Sequence, residues 1–307
     1  MHPNGTALKP RPRWVAAAAI VAALGIATLA PRASAADAQL LLVHGYGPAA
    51  KGKDCNGSTW ANALRYYQGT GGRERSSMTT IGYYAGDSPA RCDAIVGDGQ
   101  ASNARPIQDI ARDLANYVYA NYTSQGRPVD IVAHSMGGLI SRVALLGSAQ
   151  GWEGFPPKLN VTNVVTLSTP HQGVAHPSAN DDRQWNQMAP RSGFMRRLHR
   201  SGSGLGDAWA SGTDWSLVGS KEDKTVSYDS GIDKGNFANQ KFGYLDDPDD
   251  SGNVSHTGVR TLFGKNAYTL RYWHASGSHG PHNTKRGWSP LKAAFQAATN
   301  IGDNLPR

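Results

Sequence analysis

Ser135 is the residue whose setting most directly implies chemistry. It stands in the run Ala133-His134-Ser135-Met136-Gly137-Gly138, directly after the apolar residues Ile131 and Val132. A strand that stops at a serine and turns at once into a helix presents the hydroxyl on a strained backbone. The chemistry would be attack of that hydroxyl on a carbonyl carbon. It needs a base for the serine proton and N–H donors for the developing oxyanion. A serine in an ordinary strand-to-helix turn is the alternative reading.

The flanking elements have to make that turn possible. Leu139, Ile140, Val143 and Leu146 give the following helix a buried stripe. Ala133, Gly137 and Gly138 keep the crossing of strand and helix free of bulk, since anything larger than a methyl group would collide there. Upstream, Leu40 to Val43 is an apolar strand ending in His44-Gly45-Tyr46-Gly47. Trp60, Leu64 and Tyr67 share a helix face, Thr79 to Tyr84 is rich in strand formers, and Ile107, Ile110, Leu114 and Val118 recur at helical spacing. Strand, helix, strand, helix, strand, helix is the doubly wound pattern and predicts an α/β fold with a mostly parallel sheet. Further strands are expected at Val161 to Ser168, Trp215 to Gly219 and Lys241 to Leu245, the last of them. A closing helix is expected over Leu291 to Ala298.

The Ala-His-Ser-Met-Gly-Gly string resembles the secreted bacterial lipases of the α/β-hydrolase superfamily, in particular lipase A-like (class 2) enzymes with alanine at the first elbow position. Thr169-Pro170-His171-Gln172-Gly173 and Gln187-Met188-Ala189-Pro190 are similar to that family too. The resemblance implies an α/β-hydrolase fold, a twisted sheet with helices on both faces, in a single catalytic domain over 36–307. It implies a triad in the chain order Ser135, Asp223, His256. Glu222 and Asp229 are rivals for the acid. His274, His279 and His282 are rivals for the base. The amides of Tyr46 and Met136 would form the oxyanion hole, with His44, Gly45, His134 and Gly137 supporting loop and elbow; His171 is read as structural. The activity implied is ester hydrolysis on acylglycerols or similar esters, at a lipid–water interface or in solution. A polyester depolymerase, thioesterase, amidase, acyltransferase or non-catalytic binding protein of the same fold is the alternative.

Residues 171–213 have little periodicity but carry Trp185, Met188, Phe194, Met195 and Trp209. They are read as a cap or pocket rim whose apolar groups either meet acyl chains or pack on one another. Asp246 to Asp250 is a polar loop whose carboxylates suit calcium, though Pro248 and the spacing favour a solvated loop with no cofactor. The aromatic stretch Tyr268 to Trp288, within an extension from about residue 264, has no assigned role.

Composition restricts the remaining classes. Lys9, Arg11 and Arg13 precede an apolar run from Trp14 to Ala30, and Ala33-Ser34-Ala35 follows. This predicts a secretory signal peptide over 1–35, cut after Ala35, leaving no membrane anchor. Four of the 31 basic residues and none of the 23 acidic ones lie in that leader, so the net charge falls from +8 to +4. The remaining bases are scattered, which argues against nucleic-acid binding. In an exported protein the two cysteines, Cys55 and Cys92, are expected to form a disulfide stabilising by roughly 3–4 kcal/mol, with free thiols as the alternative.

Overall fold

In the computed structural model, which describes Met1 and residues 38–250, 252–264, 267–274 and 280–299, the apolar runs become strands of one sheet. The first half alternates strands with helices: β1 (Gln39–Val43), α1 (Ala61–Gly69), β2 (Met78–Gly82), β3 (Ala94–Ile95), α2 (Ile107–Asn121), β4 (Val129–His134) and α3 (Met136–Ala149). The second half runs β5 (Val161–Leu167), α4 (Arg183–Gln187), α5 (Gly193–Leu198), β6 (Asp214–Ser220), α6 (Tyr228–Gly231) and β7 (Gln240–Tyr244). It closes with β8 (Tyr268–His274), β9 (His282–Gly287) and α7 (Pro290–Thr299). The predicted signal peptide, Met1 apart, lies outside the described residues.

The described strands form a nine-stranded sheet in the order β3-β2-β1-β4-β5-β6-β7-β8-β9. Every pairing from β3 to β7 is parallel, and β8 and β9 are antiparallel. Side chains on successive strand residues point to opposite faces, and both faces are covered. Leu41, Val43, Ile131 and Ala133 face α2 and α3, while Leu40, Leu42 and Val132 face α1 and α7. This is the expected α/β-hydrolase fold. The chain travels from β1 outward to β3, then crosses back to place β4 on the other side of β1. That reversal opens a crevice beyond the carboxyl ends of β1 and β4, where open α/β sheets bind their ligands.

One expectation is corrected here. Lys241–Leu245 is not the last strand, because Tyr268–His274 and His282–Gly287 extend the sheet by two more. Asp247 and Asp250 fasten that extension: Asp247 Oδ2 accepts from Thr269 Oγ1 at 2.7 Å, and Asp250 Oδ1 from Thr269 N at 2.8 Å. Among the described residues no group of three or more His, Cys, Asp or Glu is placed to hold a metal ion. Of the two readings of the 171–213 segment, inward packing is the one found. Trp185, Met188, Met195 and Trp209 are buried in the core beneath α2 and α3, and Phe194 packs against them. The expected Cys55–Cys92 disulfide is present. Among the described residues no helix is long and apolar enough to cross a membrane.

Strand β4 buries a carboxyl in the sheet. Asp130 is fully buried, and its Oδ1 accepts from Asn163 Nδ2 at 2.8 Å. Burial pushes its carboxyl up to about 6, against the partial relief given by Asn163 and the Arg73 cation. A folded-state value above the unfolded one means that the neutral acid is favoured in the fold. The contribution is favourable at low pH and is lost as pH rises through about 6, costing about 3 kcal/mol once the charge is forced. Asp130→Asn is therefore expected to be more stable than the wild type in urea at pH 7.5, with the gain gone at pH 4. A gain independent of pH would show that the carboxyl is not the cause.

Candidate active site

The elbow is built by close packing. Ser135 joins β4 to α3 with φ 55° and ψ −129°, a conformation that costs a non-glycine residue roughly 1–3 kcal/mol. Surrounding hydrogen bonds hold it there. Ser135 N donates to Leu167 O at 2.9 Å, and Thr169 Oγ1 and Gly138 N donate to Ser135 O at 2.9 and 3.0 Å. A β-carbon on Gly137 would overlap the carbonyl oxygens of Val43 and His44, both backbone atoms that cannot yield. Gly137→Ala should therefore destabilise the fold by about 1–3 kcal/mol, read as a lower urea midpoint. An unchanged midpoint would mean that α3 and the end of β1 are not in contact.

Three distant stretches meet at this turn. His256 Nε2 lies 3.0 Å from Ser135 Oγ, and His256 Nδ1 lies 2.8 Å from Asp223 Oδ2. A carboxylate only accepts, so Nδ1 carries the hydrogen and Nε2 is left to accept from the serine hydroxyl. Asp223 follows β6 and is buried; its other oxygen accepts from the amides of Thr225 and Val226 at 2.8 and 3.0 Å. Those bonds fix the carboxylate independently of the histidine. Ser135 is 7% exposed, enough to meet a ligand from one side only.

The loop carrying His256 is held from two directions. The rival acid Glu222 accepts from Val254 N at 2.6 Å, two residues before His256. His134 Nε2 donates to the His256 carbonyl at 2.7 Å, with the two rings 4.7 Å apart. Burial, then the nearby His256 and Arg260, keeps His134 well below the ordinary histidine range, so it stays neutral and donates. Asp229 pairs instead with Lys234 at the surface. His274 ends β8, and His282 starts β9, its ring 5.7 Å from that of Tyr272. His279 lies outside the described residues. His171 is fully buried between Thr166 Oγ1 at 2.9 Å and Arg142 at 3.3 Å, and burial lowers it to about 3.

The loop after β1 passes directly over the serine. A β-carbon on Gly45 would sit 2.6 Å from the Ser135 β-carbon. His44 donates through Nε2 to Asp87 Oδ2 at 2.9 Å, and Asp87 also accepts from the amides of Lys53, Tyr83 and Tyr84. Burial alone would raise the Asp87 carboxyl, but His44 and these donors hold it below the usual carboxylate range. Asp87 was not singled out from the sequence. It sits in a loop-like stretch with no periodic pattern to mark it. Tyr46 directs its ring at Trp185, 5.2 Å away, and its hydroxyl at Asp182. Met136 is buried as the first residue of α3, where helix amides have no acceptor within the helix.

Three solved structures are similar at low identity. Lipase B of Aspergillus fumigatus shares 14% identity at a TM-score of 0.47 over 73% of this chain and 49% of that one. The chain thus spans about half the length of that lipase. The mature form of a Bacillus licheniformis lipase shares 17% at 0.42, over 64% and 79%. A gene product of Listeria innocua shares 12% at 0.45, over 88% and 96%. No curated protein is significantly similar in sequence. Residues 35–192 match the PGAP1-like alpha/beta domain family. That stretch is just over half of the chain and contains both Ser135 and the loop that crosses it, so the protein belongs to the PGAP1-like alpha/beta domain family.

Proposed function

We propose that the protein is a secreted serine ester hydrolase, a lipase or carboxylesterase that works through an acyl-enzyme. The reading rests on the hydrogen-bond chain from Asp223 through His256 to Ser135. In the first step Ser135 Oγ attacks the ester carbonyl while His256 Nε2 takes its proton. The imidazolium is stabilised by Asp223, and the amides of Tyr46 and Met136 face the oxyanion. His256 then gives the proton to the leaving alcohol, and the acyl group stays on Ser135. In the second step a water attacks the acyl-enzyme through the same base, releasing the carboxylic acid and the serine.

The test uses the mature protein from Ala36. A fluorophosphonate probe should label Ser135 and nothing in Ser135→Ala, and a series of nitrophenyl esters should be cleaved with burst kinetics. A labelled serine with no cleavage of any ester, soluble or emulsified, would move the reading to another acyl donor. No labelling would end it. Export itself is checked by the N-terminus of the protein recovered outside the cell, expected at Ala36.

A further inference from the structure

The sheet is not covered evenly on its α2/α3 side. The core there includes Trp215 and Leu217 of β6 but no described residue of β7, β8 or β9. On those three strands Phe242, Tyr244, Leu270 and Tyr272 all turn to the opposite face, toward α7. The alternate positions therefore look out on the side that the core leaves open. Gly243, Arg271 and Asn283 stand there in one row across the three strands, with Trp273 two residues along β8 from Arg271. α6 and the turn after it lie over this face. A β-carbon on Gly243 would overlap the Tyr228 hydroxyl, so the glycine is what lets the tyrosine lie on the sheet. Between α6 and the three strands a cavity of about 550 Å³ remains.

Its apolar walls are Tyr228, Ile232, Leu245 and Trp273. Trp273 is half-buried, and the ammonium of Lys241, its partner on β7, lies 5.5 Å from the ring centre. Lys221, Lys234 and Arg271 also line the cavity, and all three are exposed, which puts their charges at its mouth. Asp229, the carboxylate among the lining residues, pairs with Lys234 at 2.9 Å. Lys221 and Arg271 have no ion-pair partner among the described residues. Ligand cavities are typically roughly 300–1,000 Å³, mostly apolar, with a few polar groups that fix orientation. An apolar wall favours an apolar body, and two uncompensated cations favour an anion. We propose that this cavity binds an amphiphilic carboxylate, its chain against Trp273, Ile232 and Leu245 and its head at Lys221 and Arg271. The guanidinium fork of Arg271 and the amide of Asn283 beside it can each donate to a carboxylate oxygen. Neither Ser135, Asp223 nor His256 lines the cavity, so the assignment does not rest on the ester hydrolase reading.

The experiment is equilibrium dialysis of decanoate, below its micelle concentration, against the mature protein from Ala36 and its Lys221→Gln, Arg271→Gln and double variants. Both changes are at exposed side chains, so each variant should keep the fold. The wild type should show a saturable site. Its affinity should fall about threefold in each single variant and about tenfold in the double one, as solvent-exposed ion pairs are worth. Decanol, which lacks the charge, should bind the wild type about tenfold more weakly than decanoate. Hexanoate should bind more than tenfold more weakly, because each buried methylene contributes about fourfold. No saturable binding overturns the assignment. So does equal affinity in all four proteins, the result if decanoate sits at Ser135 instead. Decanol or hexanoate binding as tightly as decanoate overturns it as well. None of these measurements involves hydrolysis, so their failure leaves the ester hydrolase reading intact.

Discussion

Ser135→Ala should lower kcat on a good nitrophenyl ester by about 10⁵–10⁶-fold while the fold is retained. The loss is this large because the serine is not one contributor among several. In the proposed mechanism its Oγ is the atom that carries the acyl group, and Met136, Gly137 and Gly138 leave it accessible. Removing one hydroxyl from a strained turn does not alter the packing of β4 on α3, so the urea midpoint should stay within about 0.5 kcal/mol of the wild type. His256→Ala should cost nearly as much, and the double variant no more than either single one, because base and nucleophile act as a unit. The measurement is kcat with active-site titration of each variant. A Ser135→Ala protein with a tenth of the wild-type rate would place the nucleophile elsewhere.

Asp223→Asn should reduce kcat by about 10⁴-fold with little effect on KM. Asparagine has the same shape, and its carbonyl oxygen can keep the two amide bonds from Thr225 and Val226. The NH₂ group is then left facing His256 Nδ1, where the carboxylate oxygen accepts at 2.8 Å. Two donors cannot share that contact, so the ring moves its hydrogen to Nε2 and can no longer accept the Ser135 proton. The pH–rate profile and the residual rate of Asp223→Asn separate this from a structural effect: a folded protein with intact KM and collapsed kcat is expected. A drop in KM-linked binding with kcat preserved would show that Asp223 only shapes the pocket.

These two expectations draw on different parts of the chain, and the sequence exposes them unequally. The elbow is legible because every requirement on it is local: an apolar strand, a serine, and residues small enough for strand and helix to touch. The parallel strands are legible for a related reason, since a strand covered on both faces must be apolar almost throughout, as Leu40 to Val43 and Ile131 to Ala133 are. The edge strands β8 and β9 obey no such rule. β9 is largely exposed, and a strand held mainly by backbone hydrogen bonds at a sheet edge needs no apolar pattern, so its residues pass for a tail. Burial in the 171–213 segment escapes for the opposite reason. Trp185, Met188 and Trp209 are apolar without periodicity, and only the helices they come to rest against decide whether they face solvent or core.

The sequence alone determined the strained serine turn, the class of fold and the pair of cysteines, because each is written in neighbouring residues or in composition. The resemblance already preferred Asp223 and His256 by their positions after late strands, but only the tertiary structure brings them to the serine, for Ser135 and His256 are 121 residues apart. The tertiary structure also decided that Glu222 holds the loop while Asp223 faces the ring, although the two are neighbours in the chain. Local sequence sets the conformation of a turn. Which side chains meet across the end of a sheet depends on the order in which its strands are laid down.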